Sequence, residues 1–338
     1  MSQRLDAEVI RLDADNQEGL ALYDKLRSLD YHVATIEDIA YCFRLILGRA
    51  PNPEEWPGHT SMAGGRLPDV VRSYLHSAEF SNRKLMASEE ADKLIRTEYP
   101  GFQIYTSPDD LSVGAFVAAG SYEDHVQSVF RHYLSSGSCV LDVGANIGFF
   151  SILAASIVGH SGHVIAIEPN RRNVRLLEAS RRANDFNQIE IHNVAAHTHA
   201  GILVLNTSYS NGTVSDLSDD LASLMLSEIV PAQPIDAIVG DRRIDFLKID
   251  VEGAELRALK GAHRVISRDH PVIVSEYSHT GIREGGDAYL TWLVGQGYEL
   301  AVIDGHGVGE FSQDKRVIVD AFERSGVHHI DILARPLA

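Results

Sequence analysis

The sequence predicts an α/β protein: a doubly wound, mostly parallel sheet of seven strands, preceded by an all-helical accessory unit. Three observations predict it. From Cys139 onward, short apolar runs alternate with segments of helical period, the pattern of repeated β-α units. Before about Arg83, apolar residues recur only at helical spacing. A glycine-rich stretch then joins the first apolar run directly to its helix, where open α/β sheets bind ligands.

In chain order, Leu5, Val9 and Leu12, then Leu20, Tyr23 and Leu26, have helical spacing. Ile39, Phe43, Ile46 and Leu47 form an apolar stripe that stops at Gly48, Pro51, Pro53, Pro57 and Gly58 break the pattern, and helical period returns from Leu67 to Phe80. Tyr99 to Tyr122 is short, mixed and Gly-rich, a connector with a hairpin. Strands are expected at Cys139–Val143, His163–Ile167, Ile189–Asn193, Phe246–Asp250, Val272–Glu276, Glu299–Ile303 and His329–Ala334. Helices are expected from Ile147 to Val158, Asn173 to Asn184, Ala254 to Ile266 and Tyr289 to Gly295. An insertion from Ile202 to Gly240 carries a turn signal at Asn211-Gly212. The expected division is a helical domain over 1–86, a connector over 87–121 and the α/β domain over 122–338.

The 338 residues carry 30 Lys and Arg against 47 Asp and Glu, a net charge of −17. That argues against nucleic acid and anionic membrane surfaces as partners, since both attract clustered basic residues. Cys42 and Cys139 have no CxxC or metal-ligand spacing, which fits a reducing, cytoplasmic setting and no metal. The N-terminal residues have charges throughout and no apolar core of a signal peptide, and the apolar stretch from Phe149 to Gly159 is too short to span a bilayer.

The glycine loop reads Asp142-x-Gly144-x-Asn146-x-Gly148. Glycine lets backbone approach a ligand without a Cβ in the way. A dinucleotide loop wants G-x-G-x-x-G, but Asn146 and Phe149 occupy its second and third glycine positions. This weakens a nicotinamide-dependent oxidoreductase. Glu168, at the end of the second strand, is placed to accept both ribose hydroxyls of a nucleoside, or to begin the next helix as a favourable first-turn charge. Asp250 ends the fourth strand and Glu252 follows in the turn allowed by Gly253. One of these acids can cap the next helix while the other faces the crevice.

The DxGxNxG loop resembles motif I of class I S-adenosylmethionine-dependent methyltransferases. The segment from Asp245 to Ala262, DFLKIDVEGAELRALKGA, resembles the hallmark of the FkbM methyltransferase family, together with VLDVGANIGFFS from Val140 to Ser151 and PVIVSE from Pro271 to Glu276. The similarity runs from about Tyr122 to Ile303. It implies a Rossmann-like fold, S-adenosylmethionine as cofactor, and O-methylation of a hydroxyl on a sugar, polyketide or related small molecule. On that reading Asp142, Gly144, Asn146, Gly148, Glu168, Glu123, Ala195 and Asp250 bind the cofactor. Asp250, Glu252 and His279 are the catalytic candidates, His279 as a general base beyond the fifth strand or as an exposed loop histidine. The rival from another class is a non-catalytic docking module on the same fold.

Leu47-Gly48-Arg49, Pro51, Pro53, Trp56 and Ser77-Ala78-Glu79-Phe80 resemble a small helical domain of unknown function found in bacterial surface-related and glycan-related proteins. This implies protein docking or self-association through the N-terminal unit. His197 and His199, two apart, read as surface histidines, and the pair His328-His329 as incidental, because no third metal ligand stands at useful spacing.

Overall fold

A computed structural model of the chain describes residues 32–82, 93–208, 210–216, 228–278 and 287–337. It divides into two compact units, Met1–Asp92 and Lys93–Ala338. The helical spacing read before residue 32 lies outside the described residues.

In the first unit, helix α1 (Ile36–Tyr41) starts at a capping box: Thr35 Oγ1 accepts from the Asp38 N–H at 3.1 Å, and the Asp38 carboxylate accepts the Thr35 N–H at 2.8 Å. It runs on into a π-helical turn (Cys42–Leu47) that Gly48 ends in left-handed conformation. Helices α2 (Trp56–Thr60), α3 (Leu67–Leu75) and α4 (Ala78–Asn82) close around Phe43, whose fully buried ring meets Trp56, His59 and Tyr74 edge-on. Arg49 ties the two sequence pieces together. Its guanidinium forks onto Glu55 at 2.5 and 3.0 Å and onto Glu79 at 2.5 and 2.9 Å.

The second unit contains strands β1 (Ile95–Tyr99), β2 (Phe102–Thr106), β3 (Cys139–Val143), β4 (His163–Ile167), β5 (Ile189–His192), β6 (Ala195–Ala196), β7 (Gly201–Ser208), β8 (Asn211–Ser215), β9 (Glu228–Gln233), β10 (Phe246–Ile249), β11 (Val272–Ser278), β12 (Tyr298–Asp304), β13 (Gly307–Val308) and β14 (His329–Pro336). The main sheet has the order β13-β12-β14-β11-β10-β3-β4-β5. Strands β5, β4, β3, β10 and β11 are parallel, and β14 is antiparallel to both neighbours. Numbered within the sheet and leaving out the two-residue β13, the order is 3-2-1-4-5-7-6, that of class I methyltransferases. The chain reverses direction across the sheet between β3 and β10, so the crevice opens at their carboxyl ends.

Burial on both faces explains why these strands are apolar runs. Val140, Ala166, Phe246 and Val274 face helices α5 (Val113–Ala118), α6 (Asp124–Tyr133), α7 (Phe149–Val158) and α8 (Arg171–Ala183). Leu141, Ile165, Leu247 and Ile273 face α9 (Ile235–Val239), α10 (Glu255–Gly261), α11 (His263–Asp269), α12 (Asp287–Gly295) and α13 (Arg316–Ser325).

Four sequence expectations change. The connector is largely part of the second unit: β1 and β2 form a hairpin, Phe102 and Ile104 enter the core, and Asn184 and Ser180 of α8 accept the Gln103 and Tyr105 N–H groups. The sheet has eight strands because β13 folds back on β12. The insertion contributes to a second sheet of order β6-β9-β7-β8, and because Ser208 pairs with Asn211, Asn211-Gly212 opens β8 and does not make the turn. The helix expected from Ala254 to Ile266 breaks at Ala262, where a Cβ on Gly261 would meet the His197 carbonyl at 2.2 Å.

Replacing Phe43 with Ala should cost roughly 3–5 kcal/mol, comparable to the whole stability of a unit this small. Hydrogen exchange on the full chain should therefore show residues 36–80 losing protection while β3 and β4 keep theirs. Equal loss in both regions would mean that the two units unfold as one.

Candidate active site

A cavity of about 710 Å³ opens at the switch point of the sheet. Gly144 and Asn146 after β3, Glu168 at the end of β4, Ala195 on β6, and Asp250 and Glu252 after β10 all line it, as does Glu123 from the start of α6. The structure thus brings together seven of the residues singled out in the sequence.

The loop after β3 is fixed by backbone contacts. Gly144 has φ +79°, and a Cβ there would lie 1.8 Å from the Asp250 carbonyl oxygen, so only glycine lets these two strand ends come so close. The Gly144 and Ala145 N–H groups donate to Ile167 O at 2.9 and 3.0 Å. Asn146 is left-handed (φ 52°); its N–H donates to Glu168 Oε2 at 2.8 Å and its side chain donates to Asn211 Oδ1 at 3.1 Å. Asn211 is thereby part of the wall.

Two loop residues stand behind that wall. Gly148 makes room for α8, because a Cβ would lie 2.3 Å from Leu177. Asp142 is fully buried beneath the loop, where Ser151 Oγ donates to its Oδ2 at 2.5 Å. Neither is among the residues that line the cavity.

Glu168 holds the loop. Besides the Asn146 N–H it accepts, on Oε1, the Asn170 N–H at 2.8 Å and the Asn173 side-chain amide at 3.4 Å, yet burial outweighs all three bonds and pushes its carboxyl up to about 7. Burial also pushes Glu123 up to about 7, against the pull of the Lys248 ammonium. Glu252 stands at about 7 through loss of water and the neighbouring Asp250 and Glu255 carboxylates. Glu276 is raised further by burial and by Asp250, Glu252, Glu255 and Asp331. Three of the chain's left-handed non-glycine residues, Glu123, Asn146 and Glu252, lie on this one cavity.

The helix after β10 has no side-chain cap, so neither Asp250 nor Glu252 caps it. Glu255 Oε1 instead closes the turn before it, accepting the Gly253 N–H at 3.0 Å and the Val251 N–H at 3.3 Å. Asp250 and Glu252 line the cavity. Beneath them Lys248 is buried, with Nζ 3.1 Å from Asp250 Oδ2 and 5.0 Å from the Phe150 ring centroid. Burial opposes its charge, but the Asp250, Asp142 and Glu123 carboxylates outweigh burial and hold the ammonium above its usual range. Sequence reading passed over Lys248, although a lysine inside the buried run Phe246-Leu247-Lys248-Ile249 is itself a signal. His125, His328 and His329 also line the cavity. His279 lies outside the described residues. His197 is buried and His199 exposed, and no group of three or more metal-ligating side chains occurs among the described residues.

Residues 142–300 match the family model described as the methyltransferase FkbM domain. Within the second unit, residues 142–300 are thus similar to the methyltransferase FkbM domain. Domains of this family use S-adenosylmethionine as methyl donor. Residues 79–204 also match the model of protein-L-isoaspartate(D-aspartate) O-methyltransferase. A curated relative from Caenorhabditis elegans, protein-L-isoaspartate O-methyltransferase, is 30% identical over 88 residues, which is 26% of this chain and 39% of the relative. The methyltransferase FkbM structure from Methylobacillus flagellatus KT is 18% identical with a TM-score of 0.39, covering 87% of this chain and 58% of that one. A SAM-dependent O-methyltransferase from Thermotoga maritima is 11% identical with a TM-score of 0.38, covering 70% and 73%.

The raised acids set a pH dependence. A carboxyl whose folded value lies above its unfolded one binds its proton more tightly when folded. Its contribution is complete below about 4.5 and is lost as pH rises through about 7 for Glu168. Glu178 and Glu190, lowered to about 2, contribute fully throughout that window and lose their contribution only as pH falls from about 4.5 through about 2, so they add no slope there. The melting temperature of the ligand-free protein should therefore fall between about pH 5 and pH 7.5, and Glu168→Gln should flatten part of that slope, by up to about 3 kcal/mol. A melting temperature that rises with pH through this window in both proteins would contradict the assignment.

Proposed function

We propose that the second unit is an S-adenosylmethionine-dependent O-methyltransferase whose acceptor is a neutral hydroxyl of a sugar, polyketide or related small molecule. One observation carries the choice of acceptor. Six carboxylates line the cavity (Glu123, Asp124, Glu168, Asp250, Glu252 and Glu276), and no Lys or Arg does among the described lining residues. That wall favours a cationic donor and disfavours an anionic acceptor such as the isoaspartyl carboxylate. The cofactor fits on one count. Glu168 Oε1 is taken up by the Asn170 N–H and the Asn173 side-chain amide, whereas Oε2 accepts only the Asn146 N–H and keeps a lone pair for a ribose hydroxyl.

When bound, S-adenosylmethionine supplies a methyl group on a positively charged sulfur. The chain's own work is to hold donor and acceptor in line, worth on the order of 7–11 kcal/mol of the barrier. Glu168 holds the ribose, the loop from Gly144 to Asn146 shapes the nucleoside side, and Asp250 and Glu252 accept hydrogen bonds from acceptor hydroxyls flanking the reacting one. The proposed setting is the cytoplasm, with no nucleic acid or membrane partner; no described helix is long and apolar enough to cross a membrane. The first unit is proposed as a separate domain for protein docking or self-association.

The test is incubation of the full chain with methyl-labelled S-adenosylmethionine and two acceptor sets, methyl glycosides and an isoaspartyl peptide. Label should enter the glycosides as an ether that survives alkali. Label released by mild base as methanol would mark a methyl ester and replace this reading with carboxyl methylation.

Two variants separate cofactor from acceptor. Hydrogen bonds to a charged group are worth roughly 1.5–3 kcal/mol, so Glu168→Gln should weaken S-adenosylhomocysteine binding about 10- to 100-fold by calorimetry. Asp250→Asn should keep that affinity within a few-fold and lower turnover about 10²-fold through misplacement of the acceptor. The reverse pattern would exchange the two roles.

A further inference from the structure

At the β14 side of the sheet the fold joins a histidine and an aspartate 206 residues apart in the chain. His125 is the second residue of α6 and lines the cavity. Its Nε2 lies 2.6 Å from Asp331 Oδ2, and the two side chains are 28% and 16% exposed. Asp331 is held in β14, paired in register with Glu276 of β11, so both ends of the contact rest on regular structure. With Nε2 given to Asp331, Nδ1 is the ring nitrogen left for a ligand.

We propose that His125 is the general base of methyl transfer, taking the acceptor hydroxyl's proton at Nδ1, with Asp331 as its positioning residue. This rests on the methyltransferase reading and adds to it the base. The sheet order supports the placement. Glu168 ends β4, on one side of the glycine loop, whereas β10, β11 and β14 follow on the other, so His125 stands on the acceptor side with Asp250 and Glu276. Asp250 is a weaker candidate because its carboxylate is already paired with buried Lys248.

The step balances. The acceptor oxygen bonds to the methyl carbon as the carbon–sulfur bond breaks, and that bonding pair stays on sulfur, which becomes a neutral thioether. The hydroxyl proton passes to Nδ1, and Asp331 accepts a charge-assisted bond from the Nε2–H of the resulting imidazolium. The charged groups facing the ring are Asp331 from β14 and Glu123 and Asp124 at the start of its own helix. The Asp331 bond, partly opposed by burial, raises the ring's proton affinity, the direction a base for an alcohol proton needs.

The test uses the full chain, methyl-labelled S-adenosylmethionine and methyl glycosides. His125→Gln should lower transfer about 10²–10⁴-fold while S-adenosylhomocysteine affinity stays within a few-fold. Imidazole added to His125→Gly should restore part of the loss. Unchanged transfer in His125→Gln, or loss of cofactor affinity with turnover kept, overturns the proposal. A second measurement needs no acceptor. The His125 C2 proton resonance should titrate above the free-imidazole range and move down in Asp331→Asn; a resonance at the free position that ignores Asp331→Asn overturns the pair. If the wild-type chain labels no acceptor at all, the methyltransferase reading fails, and the resonance still decides whether the pair exists.

Discussion

One buried cation organises the crevice. Lys248 occupies the centre of β10 among apolar neighbours, opposite Asp142 of β3 in register, with its ammonium on Asp250. Removing water from an ammonium costs several kcal/mol, and here that cost is offset only because three carboxylates share the charge. The charges are unbalanced: Lys248 is shared by Asp142, Asp250 and Glu123 and only partly offsets the burial of Glu252, and no Lys or Arg stands among the described cavity-lining residues to answer Glu168 or Glu276. Their raised proton affinities follow from burial and from that surplus of negative charge. A cationic ligand relieves it, which links the stability of the sheet's centre to the chemistry at its edge.

The central sheet was the most legible feature because two-sided burial writes itself into sequence. Cys139–Val143 and His163–Ile167 are apolar runs except for Asp142 and His163, and their bounds match the structure. Elements buried on one side were harder to see. In β2 only Phe102, Ile104 and Thr106 are buried, too short an alternation to stand out from a connector. Helix α6 carries its apolar residues as a narrow stripe of Val126, Val129 and Phe130 on a polar background.

The site divided along the same line. Gly144, Asn146 and Glu168 were readable because one short loop and the next strand end specify them together. Contacts made by tertiary packing left no spacing to read. Asp331 meets His125 across most of the domain, and Glu255, not Asp250 or Glu252, accepts the N–H groups of the turn before α10. Asp142 and Gly148 carry the motif but serve its support: one lies under the loop, and the other lets α8 pack against α7.

Backbone strain shows how this support is used. Left-handed conformations at non-glycine residues cost of order 1–3 kcal/mol each and persist only where neighbours impose them. At Asn146 the imposing contact is the bond from its N–H to Glu168, and at Glu252 it is the turn that Glu255 closes from below. In both cases a buried carboxylate holds the backbone before any ligand arrives. On the proposed reading, a ribose on Glu168 meets a loop already in place, so little of its binding free energy goes into ordering the chain. Glu168 would then have two functions that truncation to Ala does not separate. The isosteric Gln keeps an oxygen for one N–H and removes the charge, and so distinguishes the carboxylate that binds from the side chain that holds the loop.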